Sequence, residues 1–181
     1  MTLSQWQRAL EWLAASAKDP RACRDDWMHG LTGVHLLATG RMWDVLTVPE
    51  RLGLYAAQLL DTISVTDQGP ILHDRRGRRV GFLLPADPTA LWAGHDLRYV
   101  SKGGWIAAPA PHCRWGTLHW LIPPDGSGAL TPPELLELAL DEALREMAHT
   151  QGCSRHYLVP CRREAEPTAS GTDDRDPDRC G

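Results

Sequence analysis

Apolar residues recur at helical spacing in three stretches of the chain. Leu3, Trp6, Ala9, Leu10 and Leu13 follow one another at intervals of three and four, which predicts an amphipathic helix over 3–18. Ser4 is its candidate cap, and Asp19-Pro20 is expected to end it, because the residue before a proline is steered out of the helical region. The segment ACRDDWMHG adds a short helical turn before Gly30, with Asp25-Asp26 read as a turn cap. Leu52, Tyr55, Leu59 and Leu60 mark a second helix over 50–62, with Pro49 at its opening. The third follows Thr131-Pro132-Pro133-Glu134. There Thr131 can accept from an early amide while Glu134 reaches back, so a capped helix over 132–148 is predicted, carrying Leu135, Leu138, Ala139 and Met147.

Elsewhere the pattern shortens to runs of β-branched and large apolar residues bounded by turn chemistry. TGVHLLA (32–38) and MWDVLTV (42–48) flank Thr39-Gly40-Arg41, and ILHD and RRVGFLLP form a hairpin around Arg75-Arg76-Gly77-Arg78. DPTALWAGH is read as a short helix capped by Asp87. LRYVS, GWIAAP and TLHWLIP complete the strands, with Gly103-Gly104 turning between the first two. The order of helix, strands, helix, strands and helix predicts an α+β fold. This is an α/β sandwich whose mixed, mostly antiparallel β-sheet is flanked by helices. Residues 1–160 make one domain. The stretch 161–181, CRREAEPTASGTDDRDPDRCG, has almost no large apolar residue to offset its ordering entropy and is expected to be a disordered charged tail.

Composition narrows the function classes. A length of 181 residues fits one domain with a real core. A net charge of −4 argues against a whole-surface grip on nucleic acid and leaves only a local basic patch. Eight Trp stand against one Phe and three Tyr, so the indoles are expected to replace other rings in the core. The abundance of Ala, Arg, Gly and Pro fits a GC-rich, actinobacterial kind of genome. No apolar run approaches a membrane span and no secretory pattern opens the chain, which predicts a cytoplasmic protein with no membrane partner. The five cysteines are odd in number and widely spaced, fitting neither a disulfide framework nor a zinc site. The pairs His112-Cys113 and Cys153/His156 supply too few ligands alone.

No nucleotide-binding, zinc-protease or serine-hydrolase fingerprint is present. The one dense basic cluster is RRGRR, in which Arg75, Arg76, Arg78 and Arg79 could present guanidinium forks to phosphate from a hairpin tip. Asp96, close to Arg98, reads as a turn cap. His35, His73, His95 and His119 have no carboxylate or cysteine at ligand spacing and read as ordinary residues on or beside strands.

The passages GVHLLATGRMWDVLTVPERLG, RRVGFLLP, HDLRYVSKGGWIAAPAP and TLHWLIPP follow one another across residues 30 to 125. In that order they resemble the primase–polymerase domain of bacterial and plasmid replication proteins, in the archaeo-eukaryotic primase superfamily. The resemblance implies a site of strand-borne acids holding divalent metal, with a phosphate-contacting histidine on the hairpin. Here the acidic pair falls near Thr47 and Pro49 and the histidine falls on Val80, so the resemblance implies a degenerate member. Asp96 matches an acidic position, whereas Asp44 is three residues from Thr47 and on the opposite strand face. The expectation is a non-catalytic domain that binds nucleic acid or nucleotide without a cofactor, with Arg75, Arg76, Arg78, Arg79, Arg98, Lys102 and Arg114 as candidate contacts. One alternative is an active primase or polymerase using Asp44 and Asp96 with Mg²⁺ or Mn²⁺. Another is a regulatory domain that meets a protein partner through its tail.

Overall fold

Asp19 starts a helix rather than ending one. In the computed structural model its carboxylate accepts from the amides of Arg21 and Ala22, both at 3.1 Å, and Pro20 takes the first helical position. The expected short turn is thereby a full helix, α2 (Pro20–Met28), and Asp25 and Asp26 lie inside it instead of capping a turn. The preceding helix, α1 (Leu3–Ala14), stops four residues before the expected end and contains Ser4 within its first turn. Residues after it are drawn away to a strand: the Ala38 amide donates to the Ser16 carbonyl at 2.7 Å, and Ala17 bridges Leu37. The structure describes residues 3–30, 33–63, 68–87, 92, 94 and 96–151, without the side chains of 150 and 151. The helix expected in DPTALWAGH falls largely outside the described residues, and the charged tail falls wholly outside them.

The remaining elements are β1 (His35–Ala38), β2 (Asp44–Pro49), α3 (Glu50–Ile63), β3 (Ile71–Asp74), β4 (Arg79–Leu84), β5 (Arg98–Val100), β6 (Trp105–Ala108), β7 (Leu118–Ile122) and α4 (Pro133–Gln151). They form the expected α+β class. Strands β5-β2-β4-β3-β7 make one sheet and β1-β6 a separate ribbon, and every ladder is antiparallel. Sequence neighbours thus part company: Thr39-Gly40-Arg41 and Gly103-Gly104 each link a ribbon strand to a sheet strand instead of closing a hairpin. Thr131 departs from its expected role too. Its hydroxyl accepts from the Gly69 amide at 3.1 Å, pinning the start of α4 to the chain before β3 instead of capping α4.

Strand alternation divides the core in two. On one face Leu46, Val48, Ile71, Val80, Phe82 and Leu84 pack against α3 and α4 through Leu52, Ala56, Leu60, Leu136, Ala139 and Leu140. Gly53 lets α3 lie close to the sheet, since a Cβ there would stand 2.8 Å from Val48 Cγ2 and closer still to Val80. On the other face Val45, Leu72, Leu83 and Trp120 meet α1, α2 and the ribbon. Trp27, Trp43 and Trp120 are fully buried, as the composition predicts, whereas Trp105 and Trp115 are exposed. Among the described residues no helix is long and apolar enough to cross a membrane.

Candidate functional site

The β3–β4 hairpin fixes the position of the arginine cluster. Asp74 closes the turn by accepting from the Gly77 amide at 2.8 Å, and a side chain on Gly77 would collide with that carboxylate. Arg78 then adopts φ 52°, a left-handed conformation that ordinarily selects glycine or asparagine and costs an arginine about 1 kcal/mol. Its carbonyl accepts from the Glu50 amide at 2.9 Å, tying the turn to the first residue of α3.

Under this turn lies a polar cluster that local sequence spacing does not reveal. His73 on β3 is buried, and its Nε2 donates to Glu50 Oε1 at 2.8 Å, while Arg78 Nε stands 3.8 Å from Glu50 Oε2. In the β3–β7 ladder His73 pairs with His119, and the two rings meet edge to face with centroids 5.0 Å apart. His119 Nδ1 lies 3.1 Å from the Gly116 carbonyl, which can only accept, so this nitrogen carries the proton. Burial lowers the His119 pKa, and His73, Arg75 and Arg114 push it further down against the pull of the Gly116 carbonyl. His119 is accordingly neutral at pH 7, with its lone pair on Nε2.

The loop before β7 completes the rim. The Arg75 amide donates to the Thr117 carbonyl at 2.7 Å, so the last residue of this loop meets the hairpin. The Trp120 amide, donating to the Cys113 carbonyl at 2.9 Å, holds the loop's start along the outer edge of β7. Within that loop the Cys113 thiol donates to the Trp115 carbonyl at 3.3 Å. Arg75, Arg76, Arg78 and Arg114 are exposed, and Trp115 is 85% exposed. One end of the sheet therefore presents four guanidinium groups, a neutral imidazole and an open indole, while its two carboxylates are engaged, Asp74 with the Gly77 amide and Glu50 with His73 and Arg78.

The other candidates do not join this cluster. Arg79 is half-buried and donates to the Asp96 carbonyl. Arg98 is exposed on the edge strand β5 opposite Thr47, whose hydroxyl donates to the Arg98 carbonyl at 3.0 Å. That residue pair lies on the sheet face away from His73. Lys102 sits against Gly40 in the turn between β5 and β6, at the opposite end of the sheet.

Asp44 and Asp96 are also apart. Asp44 opens β2, is buried, and accepts through Oδ2 from the Tyr99 hydroxyl at 2.6 Å and the Asp87 amide at 3.1 Å. Burial and this carboxylate push the Tyr99 phenol well above its ordinary pKa. Asp96 lies near the other end of β2, at the Arg79 side, in a left-handed conformation with φ 66°. At about 3.3 Å per residue, roughly 15 Å of strand separates the two carboxylates, too far to share one ion. The residues present do not fit a two-metal centre of the kind that pairing would need. Among the described residues no group of three or more His, Cys, Asp or Glu is placed to hold a metal ion.

Compared with protein-family models, with curated proteins and with solved structures, the chain matches none.

Proposed function

We propose that the chain is a non-catalytic nucleic-acid-binding domain of the primase–polymerase kind, acting in the cytoplasm, which holds phosphate at the β3–β4 hairpin end. The observation that carries this reading is that exposed Arg75, Arg76 and Arg78 share one hairpin tip, whose Arg75 amide is tied to Thr117 at the end of the loop bearing Arg114 and Trp115. Guanidinium forks match phosphate oxygens, and an open indole beside them offers a face on which a base can stack. On a chain with net charge −4 a concentrated patch of this kind supports contact with a short stretch of backbone rather than a wrap. The separation of Asp44 from Asp96 supports binding without phosphoryl-transfer chemistry.

The test is the salt dependence of binding to a fluorescent single-stranded oligonucleotide. Three phosphate contacts on a single strand correspond to a slope of log K on log salt of about −2. Replacing Arg75, Arg76 and Arg114 together by Ala is expected to weaken binding at least tenfold and to flatten that slope. Binding unchanged in this variant, or no binding by the unaltered chain at low salt, would refute the reading.

A further inference from the structure

We propose that His119 is a phosphate contact that takes up a proton as the ligand binds, so that the hairpin end holds phosphate more tightly as the pH falls. This rests on the reading of that end as a phosphate site and adds a residue and a regulation to it.

The geometry makes His119 the imidazole able to respond. Its Nδ1 is committed to the Gly116 carbonyl, which leaves Nε2 as the nitrogen that can gain a proton. The neighbouring imidazole, His73, already spends Nε2 on Glu50. The charged and titratable groups facing His119 come from every surrounding element. They are His73 on β3, Arg75 on the hairpin and Arg114 on the loop before β7, with Glu50 of α3 and Arg78 behind His73.

In the free protein burial, and after it the positive charges nearby, keep the ring neutral. A phosphate drawn in by Arg75 and Arg114 reverses the local sign. The imidazolium then becomes favourable, and its Nε2–H can donate to a phosphate oxygen in a charge-assisted bond. One proton is taken from solvent, and no covalent bond changes. By linkage, affinity rises as pH falls toward the bound-state pKa of His119 and levels off once the free protein is protonated as well. The phosphate could belong to the backbone of a strand or to its terminus, since both offer the same oxygens.

The experiment measures dissociation constants from pH 5.5 to 7.5 for a 5′-phosphorylated oligothymidylate, the same oligomer with a 5′-hydroxyl, and inorganic phosphate. The unaltered chain and His119→Gln are compared at fixed ionic strength. The unaltered chain is expected to weaken about fivefold toward pH 7.5, within the tenfold ceiling that one unit of pKa change sets. With the 5′-hydroxyl oligomer, whose phosphodiesters keep one charge throughout this range, His119→Gln is expected to be flat in pH and as weak at pH 5.5 as the unaltered chain is at 7.5. With a terminal or inorganic phosphate, which itself titrates at about pH 6 to 7, the comparison is the difference in slope between the two chains. A preference for the phosphorylated oligomer assigns the terminal phosphate, and equal pH-dependent binding assigns the backbone. The ring resonances of His119 in the unaltered chain give a second readout, with a midpoint that moves up when oligomer is added. Equal pH slopes in both chains, or an unmoved midpoint, would overturn the proposal. Salt-sensitive binding that is flat in pH removes His119 alone, whereas no binding at any pH removes the phosphate site with it.

Discussion

Two carboxylates, Asp44 at the start of β2 and Glu50 just after its end, meet opposite surroundings. Asp44 is enclosed by Tyr99, the Asp87 amide and the sheet, with Oδ1 buried and without a partner among the described residues. Its surroundings are those of a structural group, held by charge-assisted hydrogen bonds inside a closed end of the fold. Glu50 is only partly covered and draws His73 and Arg78 toward it, leaving the outer guanidinium groups of the same hairpin free to meet another anion. The comparison teaches that an acid at a suggestive position is not thereby a metal ligand. What it touches decides its service, and here one acid stabilises the interior while the other organises a cationic rim.

The largest effect is expected at the closed end. Asp44→Ala removes the acceptor of the Asp87 amide, leaves the Tyr99 hydroxyl only its longer bond to the Asp87 carbonyl at 3.3 Å, and should cost about 2–3 kcal/mol, measured by denaturant unfolding. A cost near zero would show that the enclosed carboxylate contributes nothing and would break the contrast. At the open end Glu50→Gln exchanges a charge-assisted bond to His73 for a neutral one and should cost about 1 kcal/mol, because Glu50 is partly solvated. A loss equal to that of Asp44→Ala would mean that both ends are equally structural. The smallest effect is expected of Arg78→Gly. Relief of the left-handed arginine is offset in part by the greater freedom of glycine in the unfolded chain, for a net gain of about 0.5 kcal/mol. The exposed contact with Glu50 contributes only a few tenths. If the hairpin arginines serve binding, the same change should weaken oligonucleotide affinity two- to threefold while stability rises.

The sequence pattern was legible wherever structure is local. Helical spacing located α1, α3 and α4, and alternation located the strands, because both depend on near neighbours. It misplaced Asp19 and Thr131, since each can serve either of two segments and tertiary contacts decide which. Thr131 answers to Gly69, far away along the chain. The pairing of strands was not legible either. Gly40 and Gly103-Gly104 look like hairpin turns, yet the strands they join part into the ribbon and the sheet. That same blindness hid the site. ILHD and TLHWLIP each show a histidine on a strand, but only the β3–β7 register sets His73 against His119, and only the turn at Arg78 brings Glu50 beneath them. The arginine cluster was visible in RRGRR, whereas its extension to Arg114 and Trp115 needed the tie from Arg75 to Thr117.

The most direct test of the account compares two variants side by side for both oligonucleotide affinity and thermal stability. They are the triple replacement of Arg75, Arg76 and Arg114 by Ala, and Asp44→Ala. The two effects are expected to separate cleanly. The arginine variant loses at least tenfold in affinity with its melting temperature unchanged, and Asp44→Ala melts about 10 °C lower while the folded protein binds as before. Normal binding by the arginine variant, or lost binding by folded Asp44→Ala, would contradict the assignment of the hairpin end as the site.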